Sequence, residues 1–151
     1  MTSNLRQLLK TNSQITLALL KPDICANPAL VPKIRQAILT KNLNIVQERS
    51  VIWSLSDAQR FYAEHQHKFF YERLCGYMTS GPFIAMILAS PTAIRDWRAL
   101  IGPTHPVRAR IHQPDTLRAL YGLTDTRNSF HGSDSDKSAE KEIQFFFPEA
   151  F

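Results

Sequence analysis

The period of the apolar positions divides the chain into short strands and helices in alternation. Ile15 to Leu20 is a short, mostly apolar run, β-branched at its start and closed by Lys-Pro-Asp. That combination predicts a buried strand ending at Lys21. From Ala29 to Lys41, Leu30, Ile34, Ala37 and Ile38 recur at helical spacing, with Pro28 and Pro32 near the start, where proline is tolerated. Ile45 to Leu55 is rich in Val, Ile and Trp and partly alternates with polar residues, which predicts a second strand exposed on one face. Ser56-Asp-Ala-Gln59 has the form of a capping box and opens a helix expected to run through His65, with another short helix from Phe70 to Met78.

Ser80-Gly-Pro82 punctuates the chain before Phe83 to Ala89, a wholly apolar run that predicts a third, central strand. Ser90-Pro91 is a helix-start signature for Thr92 to Leu100. Gly102 to Asp115 holds three prolines and no periodicity, so it reads as a long ordered loop, a feature that in a compact domain usually serves function. Ser129 to Gly132 is long enough for one last short strand. Ser135 to Phe147 returns to helical spacing, with Ala139, Ile143 and Phe146 on one face. Strands and helices in this order argue for an α+β domain of the ferredoxin-like, split βαβ kind, a four-stranded antiparallel sheet covered by helices.

Length and composition narrow the setting without choosing a function. A chain of 151 residues fits one domain, here expected over 15–151 behind a tail of 1–14. A formal charge of +5 favours anionic partners, whether nucleotides, nucleic acid or acidic lipid. No apolar run approaches the roughly 18 to 20 residues of a membrane-spanning helix, so a soluble chain is expected. Cys25 and Cys75 stand far apart without metal-ligand spacing and read as small buried hydrophobes in a reducing compartment. The first 22 residues lack Asp and Glu, and Arg6 and Lys10 lie among Leu5, Leu8 and Leu9. That is weakly like an organelle targeting segment and equally like a ragged polar terminus, so an intracellular site is expected, mitochondrial or cytoplasmic.

The chemistry concentrates in Arg127-Asn-Ser-Phe-His131-Gly-Ser-Asp-Ser135, where a histidine flanked by glycine and hydroxyl residues lies just ahead of a helix start. Glycine allows close approach to the backbone, and free amides at a helix start attract anions, which would set an imidazole beside a phosphate-sized site. An unprotonated imidazole nitrogen is a competent nucleophile, and Glu142, in the following helix, could hold its tautomer. A lone histidine is more often a core or surface residue with an ordinary hydrogen bond. His65, His67, His105 and His112 show no paired spacing that would lift them out of that class.

Asn128, His131-Gly-Ser-Asp-Ser135 and Glu142 together resemble the active-site signature of nucleoside diphosphate kinases. The resemblance continues through Thr16-Leu-Ala-Leu-Leu-Lys-Pro-Asp23, Glu64-His65, Phe69-Phe70, Ser80-Gly-Pro82, Gly102-Pro-Thr-His-Pro106, Pro114-Asp-Thr-Leu-Arg118 and Ala139 to Phe146, in family order over roughly Ile15 to Phe147. It implies phosphoryl transfer from a nucleoside triphosphate such as ATP to a diphosphate through a phosphohistidine at His131, with Ser133 and Glu142 orienting the ring. Lys21, Arg98 and Arg118 would hold phosphates, Thr104 would add a hydroxyl donor, and Asn128 would contact the sugar. Phe70 and Leu74 would flank the base, and Mg²⁺ would arrive on the nucleotide phosphates. The segment Pro106 to Pro114 is about three residues longer than in the common form, and Arg118-Ala-Leu-Tyr121 replaces the usual Arg-Gly-Asp-Phe. Both departures resemble the type 6 branch, and with the short C-terminus they leave hexamer assembly open. Two rivals remain: a family member acting mainly through a protein partner, and a nucleic-acid-binding module, which is disfavoured because its stacking motif is lacking.

Overall fold

A computed structural model describes Leu5, Gln7 and residues 13–150. Four strands, β1 (Gln14–Leu20), β2 (Asn44–Val51), β3 (Phe83–Ser90) and β4 (Phe130–Gly132), form one sheet in the order β2-β3-β1-β4. Each neighbouring pair is antiparallel. This is the split βαβ topology expected from the alternation of elements.

The connections explain the order. Between β1 and β2 lie a single turn, α1 (Pro22–Cys25), and α2 (Leu30–Thr40). After β2 come α3 (Leu55–Phe61), a 3₁₀ turn (Ala63–His65) and α4 (Tyr71–Met78). Between β3 and β4 lie α5 (Ala93–Ile101), α6 (Pro106–His112) and α7 (Leu117–Tyr121), and α8 (Asp136–Phe146) follows β4. Crossovers from β1 to β2 and from β3 to β4 each skip one strand, which leaves β1 and β3 at the centre.

Both sheet faces are covered, and that accounts for the mostly apolar runs in β1 and β3. Side chains alternate across a strand, so Leu17 and Leu19 join Phe83, Ala85 and Ile87 beneath the residues of α4 and α8. Ala18 and Leu20 join Met86 and Leu88 beneath Ile34 and Ile38 of α2 and Trp97 and Ile101 of α5. A strand buried on both faces needs no polar alternation. On the first face Trp53 gathers an aromatic cluster. It meets Phe83 edge-on at 4.9 Å, stacks on Phe146 at 5.1 Å and leans on Phe61 at 5.3 Å. Among the described residues, both faces of the sheet are covered by helices.

Four local expectations are corrected. The second strand stops at Val51, and the helix after it begins at Leu55. The capping box is Ser54 with Asp57, one register earlier than Ser56 with Gln59: Ser54 Oγ accepts the Asp57 N–H, and the Asp57 carboxylate accepts the Ser54 N–H. A carboxylate at this third position serves as well as a Gln amide. The helix does not reach His65 as one piece but tightens into the 3₁₀ turn after Phe61. The stretch expected as a long loop contains α6, started by Pro106 in the first turn and anchored by buried Ala109, with Val107 and Ile111 exposed. So few inward apolar positions leave no readable period. Arg6, Leu8, Leu9 and Lys10 lie outside the described residues, whereas Leu5 is buried in the first core layer.

Candidate active site

Lys21 follows β1 directly, where Pro22 starts a helical turn and forces the lysine backbone to stay extended. Its N–H donates to the Ser129 carbonyl at 2.9 Å and its Nζ to Asn128 Oδ1 at 3.1 Å. Burial, aided by the nearby Arg118 guanidinium and opposed by Asp23, pushes the Lys21 ammonium down to about 7.

Arg118, on α7, donates from Nη1 to the Gly102 carbonyl and from Nη2 to the Phe130 carbonyl, each at 2.8 Å. Its Nε is buried without a protein partner. Burial first and Arg98 second bring this guanidinium down to about 10. A buried unpaired donor beside two further cations suits a polyanionic ligand, which would supply both the missing acceptor and the counter-charge.

His131 stands in β4, paired with Leu19 of β1. Its Nε2 lies 2.7 Å from Glu142 Oε1, and Ser133 Oγ donates to the same oxygen at 3.0 Å while accepting the Leu17 N–H at 3.1 Å. A carboxylate only accepts, so the ring nitrogen facing it carries the proton and Nδ1 keeps its lone pair. Phe61 packs edge-on to the imidazole at 5.9 Å. Before the strand, Ser129 holds a left-handed φ of 74°. Its hydroxyl donates to Asp23, which also accepts from the Tyr77 hydroxyl. These polar links oppose the strain that a non-glycine residue carries there. Ser135 caps α8, its Oγ accepting the Ser138 N–H at 3.1 Å.

These groups surround one cavity of about 630 Å³, ample for a small-molecule ligand. Lys21, Phe70, Leu74, Arg98, Thr104, Arg118, Asn128, His131 and Glu142 all line it. Ser133 is the exception: it is fully buried and reaches the site through Glu142. Phe70 and Leu74 sit one turn apart and give one apolar wall.

Arg60, Phe61, Tyr62 and Lys141 also line the cavity and carry no role in the sequence reading. Arg60 lies over the Phe145 ring at 5.3 Å. The Tyr62 hydroxyl is buried without a partner, and burial pushes its ionisation far up. Lys141 pairs with Glu64 at 3.1 Å across the rim, with both side chains well exposed. Lys141 immediately precedes Glu142, and Arg60 and Glu64 are four residues apart, but neither spacing stands out among ordinary surface charges. Among the described residues no three His, Cys, Asp or Glu side chains converge to hold a metal ion. Among those residues, too, no helix is long and apolar enough to cross a membrane.

The family model described as nucleoside diphosphate kinase matches residues 14–151. The chain is 52% identical over 136 residues to nucleoside diphosphate kinase 6 of Danio rerio, covering 90% of this chain and 77% of that protein. Against nucleoside diphosphate kinase 6 of Homo sapiens it is again 52% identical over 136 residues, covering 90% and 73%. Among solved structures, the nucleoside diphosphate kinase of Aquifex aeolicus matches with a TM-score of 0.85 at 32% identity, over 89% of this chain and 95% of that one. A halophilic nucleoside diphosphate kinase from Halobacterium salinarum, in complex with CDP, matches with a TM-score of 0.81 at 33% identity, over 89% and 88%. The chain belongs to the nucleoside diphosphate kinase family, and within that family it resembles the type 6 proteins.

Proposed function

We propose that residues 15–151 form a catalytically competent nucleoside diphosphate kinase domain in which His131 carries the phosphoryl group. The observation that supports this most is the Ser133–Glu142–His131 chain of hydrogen bonds beside a cavity lined by Lys21, Arg98 and Arg118. The Nδ1 lone pair attacks the γ-phosphorus of a bound triphosphate such as ATP. The bond to the β–γ bridging oxygen breaks, and the diphosphate leaves with that electron pair. An acceptor diphosphate then takes the phosphoryl group by the reverse displacement, which restores the neutral ring. Charge neutralisation and in-line placement dominate such transfers, and the three cations supply the former. Thr104 adds a hydroxyl donor to the phosphates, Asn128 contacts the sugar, and Phe70 and Leu74 hold the base by an apolar surface that asks little of its hydrogen-bonding edge.

A magnesium ion would arrive with the nucleotide, whose phosphates Lys21, Arg98 and Arg118 face, and would lower the charge that these cations must balance.

The test is direct. Incubation of the full chain with γ-labelled ATP should leave acid-labile, base-stable label on the protein, and subsequent diphosphate should remove it as triphosphate. His131→Asn should take no label. A folded native chain that remains unlabelled would overturn the proposal.

A further inference from the structure

Trp97 belongs to the second core layer and not to the cavity lining, yet it contacts all three residues of β4. The indole is fully buried on α5, and its Nε1–H donates to the His131 carbonyl at 2.8 Å. The ring meets Phe130 edge-on at 6.1 Å. Gly132 passes so close that a Cβ there would lie 2.7 Å from Trp97 Cδ1 and 3.1 Å from Nε1. One side chain therefore touches the nucleophile's residue and both of its neighbours.

The need for such a support follows from topology. β4 is an edge strand, three residues long, and among the described residues it pairs only with β1. Short edge strands are loosely held unless something occupies their open side. Glu142 fixes the imidazole ring, but a fixed ring on a moving backbone is not a fixed nucleophile. Trp97 also immediately precedes Arg98, which lines the cavity. A single helix thus carries a cation of the site and the clamp on the strand that bears the histidine.

We propose that Trp97 is a positioning residue, its indole N–H holding the His131 backbone at a set distance from the phosphate group that Arg98 helps to bind. This rests on the reading of His131 as the phosphoryl acceptor. The indole is not part of the cavity lining, so its contribution falls on the transfer step and not on nucleotide affinity. Gly132 is part of the same device, since any side chain there would push the indole away.

Trp97→Phe keeps the aromatic contact with Phe130 and deletes only the donor and part of the ring. Single-turnover labelling of His131 by ATP should slow roughly ten- to a hundred-fold, with ATP affinity by equilibrium dialysis within about twofold, as expected when alignment alone is lost. A structural role alone would lower the melting temperature without separating rate from affinity. If the native chain labels and Trp97→Phe labels equally fast, the role of Trp97 is overturned while that of His131 stands; if the native chain never labels, both fall. Should Trp97→Phe fail to fold, hydrogen exchange of the Trp97 indole N–H in the native chain decides. Strong protection supports the clamp, and exchange as fast as a free indole overturns it.

Discussion

Lys21 places a titratable cation in a largely buried position on the wall of the cavity, and this has a cost that can be measured. Its ammonium falls from 10.5 in the unfolded chain to about 7 in the folded one. A lowered folded-state value means that the unfolded chain holds more protons between those limits, so stability rises with pH across that window and the penalty is complete below about 7. Taking those two values, the linkage contribution of this one group rises by about 2 kcal/mol between pH 7 and pH 9. Lys21→Met preserves most of the buried stem and removes the charge. Urea unfolding of both proteins at pH 7 and pH 9 isolates the effect, because the other titrating groups cancel in the difference between them. The native chain should gain on Lys21→Met by about 2 kcal/mol as the pH rises over that range. Bound phosphates reverse the situation by supplying the counter-charge. Nucleotide binding at pH 8 should therefore take up close to one proton, read by calorimetry in buffers of different ionisation enthalpy, and Lys21→Met should abolish the uptake. A native-minus-variant difference that stays constant from pH 7 to pH 9 would refute the assignment.

Glu142→Gln should slow labelling of His131 by at least about a hundred-fold in rapid-quench measurements, because an amide can present its NH₂ to Nε2 and drive the ring proton onto Nδ1; labelling near the native rate would show that the carboxylate does not set the tautomer. Phe83→Ala removes a fully buried ring beneath Trp53 and Phe146 and should cost about 3–5 kcal/mol in urea unfolding. Gly102→Ala should destabilise the chain by roughly 1–3 kcal/mol and weaken ATP binding, since Gly102 has a φ of 82°, a Cβ there would collide with Thr116, and its carbonyl holds Arg118. Thermal melts followed by equilibrium dialysis check both effects.

The layout of the sheet was legible because β1 and β3 are buried on both faces and leave mostly apolar runs, while α2 and α8 bury one stripe each and keep a clear period. Order and type of these elements fixed the topology. What escaped was whatever carries little apolar signal. α6 turns inward chiefly at Pro106 and Ala109, and the capping box shifted because Asp57 filled a place assigned to Gln59. The site separated along the same line. His131, Lys21 and Arg118, which line one cavity, were legible because ordered motifs mark them. Trp97, Tyr62 and the Asp23–Tyr77–Ser129 links act through contacts between distant segments, and no local pattern announces an indole aimed at a carbonyl.

The pairing of Leu19 with His131 joins the first strand to the last. A chain cut ahead of β4 keeps Lys21 and lacks His131. Local contacts form early in folding and such distant ones late. Under the proposed function, labelling of His131 requires β4 to have paired with β1, so the label would also report that the sheet has closed.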